Sequence, residues 1–351
     1  MISPANKLAL LMTGYVRLRN GKMGFGLLRY SDTPIACVIA ADEAGENLRE
    51  LTGIDTDVPI VASVEEAAAL GADTMVIAVA TSGGILPDGY RQNILAALHG
   101  GMSIVNGLHG RYAEDPQYIE AKHPDAFIWD VRQEPAGLGS GRGRARATTA
   151  RRVLTVGTDM AIGKMTASLE LDRAARSRGL RSKFIATGQI GICISGDGVA
   201  LDAVRVDFAS GAIEALCIKY GNEFDVLWVE GQGSALHPGS TAWVPLLRGS
   251  SATDLILVHR AGQTALDGLD DIVFPPLLEV IALYESAASI SPSYPPAKVR
   301  GIALNCSKLP PEEIDAACAA VERETGLVCV DVLHHGAAGL LDALAITPNG
   351  A

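Results

Sequence analysis

The sequence predicts an α/β protein of two parallel-sheet domains, a Rossmann-like N-terminal one and a C-terminal one headed by a strand, a loop and a helix. Three observations predict it. At 351 residues the chain is longer than one ordinary hydrophobic core serves, so two domains are expected. Short apolar runs of strand type alternate with segments of helical period, the pattern of strand–helix crossovers in a parallel sheet. Midway, residues 153 to 168 read VLTVGTDMAIGKMTAS: a β-type run, a glycine-bounded loop and at once a helical pattern.

In chain order, MISPANKLALLMTG carries one lysine and no convincing cleavage site, and reads as a first strand rather than a signal peptide. Strand-type runs follow at Ile35–Ala40, Thr74–Ala80, Ser103–Val105 and Ala126–Val131, with helical patterns at Glu46–Leu51, Val64–Leu70 and Tyr90–His99. These make residues 1–132 one domain. No Gly-x-Gly-x-x-Gly follows its first strand, so it is not read as a dinucleotide site. Gly83-Gly84 and Asn106–Gly110 fall at strand C-termini, where open parallel sheets bind ligands and where ordinary turns also lie.

Residues 133–151, QEPAGLGSGRGRARATTAR, lose all apolar periodicity. They read as a solvated linker or mobile loop whose arginines (Arg142, Arg144, Arg146, Arg151) can close over an anion. Residues 152–351 form the second domain. Its strands are expected at Val153–Val156, Lys183–Ala186, Val226–Val229, Leu255–Val258, Gly301–Leu304 and Val328–Val330. Its helices are expected after Lys164 and at Val204–Tyr220, Leu277–Ala287, Glu312–Glu324 and Ala337–Leu344.

Composition excludes several classes. A net charge of −11 argues against a general nucleic-acid or anionic-membrane binder, and no apolar run is long enough to span a bilayer. The six cysteines form no Cys-x-x-Cys pair and sit mostly in apolar runs, as reduced thiols of a cytoplasmic protein do; zinc is not expected.

The loop at 157–166 carries the clearest chemistry. Gly157, Thr158, Asp159, Met160, Ala161, Ile162, Gly163, Lys164, Met165 and Thr166 have the spacing Gly-x5-Gly-Lys between a strand and a helix. Backbone N–H groups and the helix N-terminus then converge on one anion, and the lysine adds a full charge. A nucleoside triphosphatase needs Ser or Thr directly after the lysine to hold Mg²⁺, and here that residue is Met165, a poor ligand for a hard cation. The loop reads as a diphosphate binder that needs no metal.

Other candidates lie at strand C-termini. Glu230 ends the run Leu227–Val229, suited to accept a proton, position a nucleophile or hold a cation. His237, on a loop held by Pro238 and Gly239, is a second candidate base, and His334-His335 a third site without a nearby carboxylate in sequence. Arg260 is placed to grip a substrate carboxylate in a two-point hydrogen bond. Gln189 opens the glycine-rich stretch after Thr187-Gly188 and is taken as substrate-binding. Asp197, Asp202 and Asp207 are as readily turn and cap residues as ligands.

The opening Gly157-Thr158-Asp159, the Val229-Glu230-Gly231 strand end and the strand Gly301–Leu304 ending in Asn305 resemble the P-loop domain of dethiobiotin synthetase and its relatives. That resemblance implies an adenine-reading role for Asn305. Taken together, GTDMAIGKMTASLEL, ATGQIG, ISGDG, DFASGAIE, VEGQGS, HPGS and GIALN resemble the DgcN family over nearly the whole chain. The resemblance implies a D-glutamate N-acetyltransferase that uses acetyl-CoA as co-substrate, needs no metal and works beside an N-acetyl-D-glutamate racemase. A homo-oligomer is expected. An ATP-dependent ligase or kinase like dethiobiotin synthetase, and a non-catalytic nucleotide-binding sensor, are the alternatives.

Overall fold

The computed structural model describes residues 2–348. The first sheet is built from β1 (Leu8–Leu11), β2 (Ile35–Ile39), β3 (Ile60–Val61), β4 (Thr74–Ile77), β5 (Ser103–Asn106) and β6 (Ile128–Asp130). Its helices are α1 (Lys22–Tyr30), α2 (Leu48–Thr52), α3 (Val64–Ala69), α4 (Tyr90–His99) and α5 (Pro116–Ala121). All pairs are parallel in the order β3-β2-β1-β4-β5-β6, the Rossmann arrangement in which the strand order reverses between β1 and β4. The runs are almost continuously apolar because the strands are buried on both faces. Leu11, Met75, Ile77, Ile104 and the helix residues Ile94 and Leu98 share one core.

The second sheet begins with β7 (Arg151–Gly157), which leads into α6 (Lys164–Ser177), β8 (Ser182–Ile185) and the short α7 (Gln189–Ser195). Then come α8 (Val206–Tyr220), β9 (Val226–Val229), α9 (Trp243–Ser250) and β10 (Asp254–Arg260). A small antiparallel hairpin, β11 (Ala265–Leu266) and β12 (Leu269–Val273), precedes α10 (Leu277–Ser289) and β13 (Lys298–Asn305). The chain closes with α11 (Ile314–Thr325), β14 (Cys329–Val330) and α12 (Ala338–Leu344). The order is β14-β13-β10-β7-β9-β8, all parallel. At the N-terminal edge, fully buried Asp254 accepts from Arg151 at 2.7 Å and Arg300 at 2.8 Å, fixing β7, β10 and β13 in register.

Two compact units result. One is the chain up to Glu134 together with Gln189–Ala203; the other is Pro135–Gly188 with Val204 onward. The stretch containing α7 thus groups with the first unit although it lies inside the second in sequence. Residues 135–150, compositionally a linker, are packed against the second unit: buried Glu214 of α8 accepts from the backbone N–H of Arg142 at 2.7 Å and from Arg144 Nε at 2.7 Å. All six cysteines are buried and unbridged, and burial pushes the Cys306 thiol up to about 12. Among the described residues no helix is long and apolar enough to cross a membrane.

Candidate functional site

The strand β7 sits between β10 and β9, so the loop that follows it opens at the C-terminal edge of the second sheet. A side chain on Gly157 would run against Ile162 and the Lys164 amine, which is why the loop opens with glycine. It returns through two left-handed residues, Ala161 (φ 52°) and Gly163 (φ 109°), the latter standing as a cap without a side chain at the head of α6. The backbone N–H groups of Ala161 through Thr166 find no acceptor among the described residues. Six donors at the start of a helix are therefore left without an intramolecular acceptor, the feature of a helix N-terminus that favours an anion.

Lys164 is buried, and its Nζ donates to the Asp159 carbonyl at 2.6 Å. Burial pulls its pKa down to about 8, against the opposing charges of Asp159 and Glu230. Glu230, at the end of β9, is buried as well, and its Oε2 accepts from the N–H groups of Thr187 at 2.8 Å and Gly188 at 3.1 Å. Burial pushes its carboxyl up to about 7, with those two N–H groups and the Lys164 charge pulling the other way. The next residue has to be glycine, because a Cβ at Gly231 would collide with the Thr155 carbonyl, and its N–H donates to Thr155 Oγ1 at 2.9 Å. The structure thus couples the loop lysine with a carboxylate that changes charge near neutrality.

The remaining sequence candidates are placed as follows. Thr158 is buried and its hydroxyl meets His259 Nδ1 at 2.9 Å; burial pulls His259 down to about 4, so its ring is neutral at pH 7. The Asp159 carboxylate is taken up by Met160 N, by Gln263 Nε2 at 2.7 Å and by Asp267 N at 2.8 Å, which ties the β11–β12 hairpin to the loop. Arg260 is buried and donates to the Ala161 carbonyl at 3.0 Å. Asn305 donates to the Ile162 carbonyl at 2.8 Å and accepts from Ser307 N at 3.0 Å. Both side chains, in this arrangement, brace the left-handed turn. Met160 is exposed, and Met165 and Thr166 are half-buried on the first turn of α6.

His237 accepts the Gly239 N–H on Nδ1 at 3.0 Å, which puts the ring proton of the neutral form on Nε2 and leaves no free lone pair. His335 is engaged in the same way, its Nδ1 taking Asp331 N and its Nε2 facing Asp315 at 2.8 Å. Gln189 opens α7, which groups with the first unit. Asp197 forms a turn with Gly198 N, and Asp202 pairs with Arg132 at 3.3 Å.

Two participants stand outside the expected site residues. The Tyr284 hydroxyl, fully buried, donates to the Gly157 carbonyl and accepts from Ala235 N, each at 2.8 Å, so one side chain ties the loop after β7 to the loop after β9. Gln232 reaches the Thr187 carbonyl and so supports the turn that holds Glu230.

A family model described as the DUF1611 C-terminal P-loop domain matches residues 139–341, and one described as the DUF1611 N-terminal Rossmann-like domain matches residues 41–134. The chain belongs to the DUF1611 family. A crystal structure of a DUF1611 family protein from Anabaena variabilis superposes with a TM-score of 0.92 at 52% identity, covering 97% of this chain and 99% of that one. A D-glutamate N-acetyltransferase from Pseudoalteromonas sp is 37% identical over 278 residues, 78% of this chain and 82% of its own length. One from Tritonibacter scottomollicae is 37% identical over 285 residues, 81% and 84% of the two chains.

Proposed function

We propose that this protein moves an acetyl group from acetyl-CoA to the amine of an acidic amino acid, D-glutamate first among them. The observation that carries the reading is the phosphate cradle with Met165 in place of the metal-ligating hydroxyl, beside a buried carboxylate that titrates near pH 7. Coenzyme A presents a diphosphate and needs no metal for acyl transfer. Two relatives that span most of the chain are named D-glutamate N-acetyltransferase, which supports the acceptor.

In this reading the N–H groups of residues 161–166 and Lys164 hold the diphosphate. Glu230, ionised, takes a proton from the substrate ammonium; the free amine attacks the thioester carbonyl, a C–N bond forms, the C–S bond breaks, and the thiolate leaves with a proton. The base is Glu230 rather than His237 because Glu230 Oε1 has no hydrogen-bond partner among the described residues while the Nδ1 of His237 already accepts the Gly239 N–H. The test follows thiol release from acetyl-CoA with D-glutamate, L-glutamate, aspartate or no acceptor. Acceptor-dependent release, greatest with D-glutamate, is expected; protein that binds CoA and releases thiol with none of them overturns the assignment.

Metal dependence separates this from a nucleotide-hydrolysing use of the same loop. CoA affinity is expected to be equal in EDTA and in millimolar Mg²⁺, because the first turn of α6 offers Met165 where an oxygen ligand is needed. Calorimetry in both buffers measures this, and tighter binding with Mg²⁺ would count against the acetyl-transfer reading.

A further inference from the structure

The second unit has another place with the chemistry of an anion site. Between residues 137–144 and α8 lies a half-open cavity of about 270 Å³, lined among others by Gly137, Gly139, Arg142, Arg144 and Gly211. It shares no lining residue with the phosphate cradle. Close approach of the segment to the helix requires glycine at 211, where a Cβ would strike the Gly139 carbonyl.

Charge makes this more than a gap under a loop. Glu214, on the same helix, accepts from Arg142 N at 2.7 Å, Arg144 N at 3.2 Å and Arg144 Nε at 2.7 Å. Burial would raise its carboxyl, but the Arg144 guanidinium and the backbone N–H groups override that and hold it below the ordinary range. The ionised Glu214 therefore fixes the backbone and neutralises Arg144. The Arg142 guanidinium has no acidic partner among the described residues, and the N–H groups of the lining residues Leu138, Gly139 and Ser140 have no acceptor there. A planar cation and glycine-bared amides at one cavity match an oxyanion.

We propose that this cavity binds a small organic anion, a phosphate monoester or a carboxylate, with Arg142 as its cation, independently of the cradle at Lys164. A melting-temperature titration tests it in a Lys164→Met background, which removes the cradle's charge. Inorganic phosphate, glutamate and chloride at matched ionic strength are the three arms. Either oxyanion, but not chloride, is expected to raise the melting temperature, and the arm that does so identifies the ligand class. Adding Arg142→Gln keeps the N–H that holds Glu214, so the anion-free melting temperature should stay put, while the half-saturating concentration rises at least about tenfold. No oxyanion response in the Lys164→Met protein, or one that Arg142→Gln leaves unchanged, overturns the site.

Discussion

Replacing Glu230 with glutamine is expected to lower kcat by roughly 10²- to 10⁴-fold, the range for a lost general base. The amide keeps the size of the side chain and an oxygen for the Thr187 and Gly188 N–H groups, so the fold should survive. Its pH signature separates this from a structural lesion. The carboxyl is pushed up to about 7, so kcat/KM of the wild type should rise through that pH as Glu230 ionises. Lys164, pulled down to about 8, should then lose its charge and turn the profile over. In Glu230→Gln the rising limb near 7 disappears, and the deficit shrinks at high pH, where the acceptor amine is already free. The stability sign is opposite: a raised carboxyl pKa favours the folded state fully below the unfolded value of 4.5 and loses that contribution as pH climbs to about 7. Catalysis thus improves over the window in which Glu230 weakens the fold. A mutant that retains the limb, or loses less than about tenfold in kcat, removes Glu230 from the base role.

Much of this architecture is legible in the sequence, because each domain repeats one local rule. The strands at 35–39, 74–77 and 226–229 are apolar runs bounded by turns, and periodicity finds them within a few residues. It misses α7, whose QIGICIS is rich in glycine and β-branched residues, and the two-residue strand β3, too short for any period. The grouping of Gln189–Ala203 with the first unit comes from packing across more than fifty residues of sequence, for example at Asp202 and Arg132, and no local pattern encodes that.

At the site, spacing shows where a residue stands but not what its side chain is bonded to. Asn305 and Arg260 are at strand ends as expected, yet each donates to a carbonyl of the loop, Ile162 or Ala161. Those bonds serve a left-handed turn at a non-glycine residue, a strain that only the backbone angles reveal. Tyr284 reaches Gly157 from 127 positions away, and nothing in its own helix marks it.

The second large effect is expected at Lys164. Its ammonium is a full positive charge on the first residue of α6, so Lys164→Ala should weaken CoA binding by at least ~1.5 kcal/mol, the low end for a charge-assisted contact. Lys164→Met is the companion that keeps the buried volume and removes only the charge. Stability should not follow affinity. A lysine held at about 8, well below its ordinary 10.5, contributes to the fold only as pH rises through that interval and opposes it below. At about pH 6, where Glu230 is protonated, Lys164→Met should therefore melt no lower than wild type while binding CoA far more weakly. Calorimetry and thermal melting on the same samples read both quantities. A folded Lys164→Met protein with wild-type CoA affinity would show that the diphosphate does not sit on residues 157–166, whatever reaction the enzyme performs.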